Sequence, residues 1–115
     1  MKRSMSILGS KWKPILIYSL RERNARFGQL AAIVGTISRK VLAATLKEME
    51  AEGLVTREEH AEPPLRVEYS LTERGRELLP IMESLSAWDL KYYTLEDAER
   101  VKSYKTTARQ RRKAA

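Results

Sequence analysis

The chain has 115 residues, 43% of them hydrophobic and 32% charged, and a formal net charge of +7. That length holds one compact domain and leaves no room for separate substrate and cofactor domains. The absence of cysteine excludes disulfides, thiolate metal sites, Fe–S clusters and thiol redox sensing, and a single histidine, His60, excludes a multi-histidine metal site. Unbroken apolar runs are short, four residues at Ile15–Tyr18 and five at Leu30–Val34, far below the roughly 20 that span a bilayer. Met1-Lys2-Arg3-Ser4 starts basic without the apolar stretch of a signal peptide. A soluble, cytoplasmic protein is expected.

In chain order, Gly9-Ser10 precedes an apolar pattern at Trp12, Ile15, Leu16, Ser19 and Leu20, the stripe of an amphipathic helix. Ser10 is its expected N-cap, Pro14 is tolerable in its first turn, and Asn24 marks the stop. A short helix is expected from about Phe27 to Ile33, with Phe27, Leu30 and Ile33 inward. Val34-Gly35-Thr36-Ile37 interrupts it. Ser38 should cap a longer helix, Arg39 to Glu52, with Leu42, Leu46 and Met49 inward, Val41 beside them, and Gly53 as the terminating glycine. A short helix, a glycine turn and a capped helix form a helix-turn-helix.

The period then changes. Residues 54–59 read as a strand and His60–Pro64 as a turn. Leu65, Val67, Tyr69 and Leu71 alternate with polar residues as a half-buried second strand. A hairpin directly after a helix-turn-helix is the wing of a winged helix. Thr72 should cap a helix to about Leu90, bent by Pro80. Thr94-Leu95-Glu96-Asp97 resembles a capping box, opening a last helix that gives way to a basic tail. The expected architecture is mainly α with a small β-hairpin (α+β), a winged helix-turn-helix with extra C-terminal helices. Residues 1–93 form that domain, with N- and C-terminal dimerisation helices, and residues 94–115 add a helix and tail.

Charge is unevenly distributed. Residues 1–53 carry ten Lys/Arg against four Asp/Glu, residues 54–71 two against four, and residues 72–99 three against seven. Residues 100–115 carry seven basic residues and no acid, so the tail supplies the whole net excess. A basic first half points to nucleic acid.

Five segments together resemble HxlR-type transcriptional regulators. They are Leu8-Gly9-Ser10-Lys11-Trp12, Arg26-Phe27-Gly28-Gln29-Leu30, Ile37-Ser38-Arg39-Lys40-Val41-Leu42, the run Leu46 to Val55, and the run Pro63-Pro64 through Val67-Glu68-Tyr69-Ser70-Leu71-Thr72 to Gly75. Trp88 falls where that family usually has a tryptophan. The resemblance covers roughly residues 5–92. It implies a homodimer that binds operator DNA in bacteria and archaea. Two departures stand out. Members often carry a cysteine just before the first helix, whereas Met1–Leu8 has none, so the cysteine sensing of some members has no residue to act through. The usual second glycine of the Gly-Gly-Lys-Trp opening is Ser10.

With Leu42, Leu46 and Met49 inward, Arg39, Lys40, Ala43, Ala44 and Lys47 face out as candidates for the DNA major groove. Ser38 is a candidate phosphate contact through its hydroxyl or the helix N-terminus. Arg26 could touch a phosphate or be plain surface. Arg66 could reach the backbone or minor groove, or pair across the hairpin with Glu58 or Glu59. Trp12, Leu85, Trp88 and Tyr92, with Tyr93, are candidates for a dimer interface, Trp12 also fitting the core. His60 reads as an exposed turn residue. No nucleophile–base pair, metal set or phosphate loop is present, so no catalytic activity and no cofactor are expected. The tail could bind phosphates, pair with the acidic stretch 72–99, or only solubilise. A small-molecule effector in a dimer crevice and control by abundance fit equally well. The competing reading is a winged-helix interaction module in a larger complex, without DNA sequence specificity.

Overall fold

The computed structural model describes residues 1–93. The last helix expected after Thr94 and the basic tail lie outside the described residues. The chain divides into two compact units, Met1–Met82 and Glu83–Ala115. The described elements are α1 (Lys2–Leu8), α2 (Lys13–Ser19), β1 (Ala25–Arg26), α3 (Phe27–Val34), α4 (Arg39–Ala51), β2 (Val55–His60), β3 (Arg66–Leu71) and α5 (Glu73–Tyr92). The strands form one antiparallel sheet in the order β1-β3-β2. This is an α+β winged helix.

The core of the first unit is Leu16, Ile17, Leu20, Leu30, Leu42, Leu46, Met49, Leu54 and Val55, with Ala25, Ile37 and Leu71. Trp12, Phe27, Tyr69, Leu78, Leu79 and Met82 pack around it. Helices α2 to α5 each contribute one stripe. On α4 it is Leu42, Thr45, Leu46 and Met49, at offsets 0, 3, 4 and 7. The polar Thr45 fits there because its hydroxyl donates to the Val41 carbonyl at 2.7 Å, so its own polar group is not left unsatisfied.

Several expectations need correction. Lys2–Leu8 is helical, although none of its residues is fully buried. Ile15 is 43% exposed, and Ile17 is buried in its place; the stripe of α2 centres on Leu16, Ile17 and Leu20. On α3 the stripe is Phe27, Leu30, Ala31 and Val34, which leaves Ile33 exposed. Val41 and Leu65 are also exposed. The residue at the N-cap of α2 is Trp12, without a side-chain cap; Ser10 only accepts from the Lys13 N–H at 3.4 Å. His60 ends β2 opposite Arg66 and is half-buried, so it is not a turn residue.

Two polar devices join the elements. Lys13, whose side chain is 12% exposed, bridges Glu52 at 2.7 Å and Glu48 at 3.1 Å on α4. Burial alone would lower its pKa, but the two carboxylates more than offset this and raise it above the ordinary 10.5. Lys13→Met keeps the aliphatic stem and leaves both carboxylates without their cation. It should lower the urea-unfolding free energy by about 1–2 kcal/mol at neutral pH. Because the folded pKa is raised, that difference is complete below pH 10.5 and should narrow as pH rises through the folded value.

The second device lies at the start of α5. The Thr72 N–H donates to the Leu54 carbonyl at 3.1 Å, and the Thr72 hydroxyl donates to the Gly53 carbonyl at 2.6 Å. The same hydroxyl oxygen accepts from the Gly75 N–H at 3.0 Å, which makes Thr72 the helix cap. Gly53 has φ +75°, the conformation of a helix-terminating glycine.

Candidate nucleic-acid interface

The helix-turn-helix is formed by α3, α4 and the four residues between them. Gly35 turns the chain at φ +75°, and its N–H donates to the Ala31 carbonyl at 2.9 Å. Ile37 then plugs into the core. Ser38 accepts from the Val41 N–H at 3.1 Å through its side chain, and its carbonyl accepts the Leu42 N–H at 2.9 Å. The cap fixes where the helix begins and therefore which side chains face out.

Those outward residues are Arg39, Lys40, Ala43, Ala44 and Lys47, all exposed. The first turn contains no acid. Among the described residues, Arg39, Lys40 and Lys47 take no part in an ion pair. Three cations are thus free to meet an external anion, beside a helix N-terminus that already favours negative charge.

The wing sorts its charges by face. Directly opposed residues of an antiparallel pair share a face. One face carries Val55, Arg57 and Glu59 with Leu71, Tyr69 and Val67; the other carries Thr56, Glu58 and His60 with Ser70, Glu68 and Arg66. Val55 and Leu71 are buried, so the first face is the one turned to the body. Arg57 and Tyr69 there line a groove of about 310 Å³ with Ala43, Lys47 and Glu50 of α4. The Arg57 Nη1 donates to Glu59 Oε1 at 2.7 Å. Glu59 and then Tyr69 hold this guanidinium more firmly protonated than usual.

Arg66 lies on the other face, with Nε 3.4 Å from Glu68 Oε1. It pairs along its own strand, and neither Glu58 nor Glu59 is its partner. His60 Nε2 is 3.5 Å from the other oxygen of Glu68. Arg26 stands opposite Glu68 across β1–β3 and is exposed, and its N–H donates to Gln29 Oε1 at 2.9 Å. Sequence reasoning favoured Arg66 and passed over Arg57. Strand parity was the available signal: Arg57 is two residues from Val55, whereas Arg66 is five from Leu71.

Among the interface candidates, Trp12 packs against the core with Lys11 Nζ 4.8 Å from its ring centre. In the second unit, Leu85, Trp88 and Tyr92 are all exposed, Trp88 at 62%. The Trp88 and Tyr92 rings lie 5.5 Å apart at a tilt of 45°. Among the described residues there is no cluster of three metal-ligating side chains, and no helix is long and apolar enough to cross a membrane.

Comparison with known proteins fits this geometry. The model of the HxlR-like helix-turn-helix family matches residues 7–97. An HTH-type transcriptional regulator of Halalkalibacterium halodurans is 47% identical over 89 residues, covering 76% of this chain and 79% of that protein. The HTH-type transcriptional regulator YdzF of Bacillus subtilis is 40% identical over 88 residues, covering 76% and 81%. Among solved structures, the reduced form of the transcriptional regulator YodB from B. subtilis superposes with a TM-score of 0.77 at 33% identity, covering 81% of this chain and 91% of that one. The reduced redox regulator HypR gives 0.76 at 35% identity, covering 84% and 96%; the present chain has no cysteine. The chain belongs to the HxlR-like helix-turn-helix family and is a DNA-binding transcriptional regulator, not an enzyme.

Proposed function

We propose that the chain acts in the cytoplasm as a homodimer that reads a two-fold operator. The observation that carries this reading is the capped first turn of α4, which presents Arg39 and Lys40 with no acid beside them. Arg39 offers a bidentate fork to guanine, and Ala43 and Ala44 offer methyl contacts to thymine. Lys40 and Lys47 serve flanking phosphates, as do Ser38 and Arg26. Leu85, Trp88 and Tyr92 supply the apolar face of the dimer, and Trp12 buttresses the core. A dimer is needed because one helix reads only a few base pairs, whereas two reach half-sites about 34 Å apart.

Selection of bound sequences from random duplex DNA at physiological salt tests this. The expected product is a pseudo-palindrome with half-sites one helical turn apart. Arg39→Ala should relax preference at one position of each half-site, at a cost of about 1–3 kcal/mol there. Recovery of no motif, with binding that collapses as salt rises, would overturn sequence-specific reading.

A further inference from the structure

The groove between α4 and the wing has a role that the recognition helix alone does not explain. Four features meet there. Arg57 and Lys47 bring two cations to one cleft of 310 Å³. The Arg57 side chain is 41% exposed and can be reached from outside. Tyr69, directly opposite on β3, walls it on the other strand. Further out, the hairpin carries Glu58, Glu59 and Glu62, which repel a phosphate chain, so the root of the wing is where that chain can approach. Glu50 at the far end of the α4 row favours an approach toward Lys47 and Arg57.

The pairing of Arg57 adds a second element. A carboxylate and a phosphate offer the same spacing of acceptor oxygens to a guanidinium fork. Glu59 Oε1 sits 2.7 Å from Arg57 Nη1, yet the Glu59 side chain is two-thirds exposed. An exposed pair of this kind is held weakly and exchanges readily. We infer that Arg57 is a DNA-phosphate contact at the root of the wing and that Glu59 is its internal competitor, occupying the fork until a phosphate displaces it. The inference rests on α4 being the helix that faces DNA. Glu59 thereby tempers affinity for any duplex and leaves discrimination to α4.

The test uses the full chain, the duplex recovered by selection and an unrelated duplex of equal length, each titrated across a salt series. Arg57→Ala should weaken both duplexes by the same factor and reduce the log–log salt slope by about 0.9 for each wing that contacts DNA. Arg57→Lys, which keeps the charge, should retain most of the slope. Glu59→Gln should tighten both duplexes, and that gain should shrink in the Arg57→Ala background. An unchanged slope in Arg57→Ala overturns the contact. An equal Glu59→Gln gain in both backgrounds overturns the competition, since Glu59 would then act as a plain surface charge. Failure of the unaltered chain to bind either duplex would instead remove the DNA reading itself.

Discussion

Adding a single methyl group at Gly75 should cost about 3 kcal/mol or more of stability. On helix propensity alone the change would be favourable, since alanine exceeds glycine by about 1 kcal/mol in a helix interior. Packing decides the sign. A Cβ at this position runs into the Leu54 carbonyl oxygen and comes within 3.1 Å of Leu71 Cδ2. The carbonyl has little freedom to retreat, because it accepts the Thr72 N–H at 3.1 Å. Relief would require lifting the first turn of α5 off the corner between α4 and β2, with loss of the Thr72 hydrogen bonds. Gly28→Ala is the control: a Cβ there meets nothing within 4 Å. Urea unfolding followed by circular dichroism should separate the two variants clearly. Equal midpoints would show that α5 is not seated as tightly as this geometry requires.

Trp88→Ala should have the largest effect on operator binding of any change outside α4. Trp88 is exposed, so its loss leaves the core of the first unit intact. On the proposed homodimer it is the central aromatic anchor, with the Tyr92 ring tilted beside it. Truncated interface tryptophans commonly cost about 2 kcal/mol or more. A monomer holds one half-site at a time and gives up the gain from linkage, so operator affinity should fall by about 100-fold. Analytical ultracentrifugation and operator titration on the same sample report both quantities. A variant that remains dimeric and binds normally would place the subunit contact elsewhere on the chain.

The parts legible in the sequence were those where several local signals agree. The extent of α4 followed from Ser38 at one end, Gly53 at the other and a leucine row between. The structure begins it at Arg39 and ends it at Ala51. The outward set of Arg39, Lys40, Ala43, Ala44 and Lys47 came with it, because capping fixes rotation as well as length. Where a signal was short or divided, the reading failed. Two residues, Ala25 and Arg26, cannot show alternation, so β1 becomes visible only through its partner β3. Ile15 and Ile17 are equally apolar, and only the neighbouring helices decide which is buried. Residues Lys2–Leu8 make a helix with no fully buried side chain, so no apolar stripe announced it. In the wing, the alternation of Val67, Tyr69 and Leu71 already set Arg66 on the outer face, but Thr56 to Glu59 are all polar and show no alternation, so the side taken by Arg57 rests on its distance from Val55 and on its pairing with Tyr69.

The short β1 strand has a mechanical consequence. It pairs with Tyr69 and Glu68, on the edge of β3 opposite to β2. As far as Glu68 the hairpin is therefore clamped between two neighbours, and β1 runs directly into α3. Beyond that point, only β2 supports the strand that leads to the proline-containing tip. The wing behaves as a bracket at its base and a spring leaf at its end. A push on Pro63 or Pro64 can flex the outer ribbon, while Arg57 and Tyr69 keep their register with the helix-turn-helix frame.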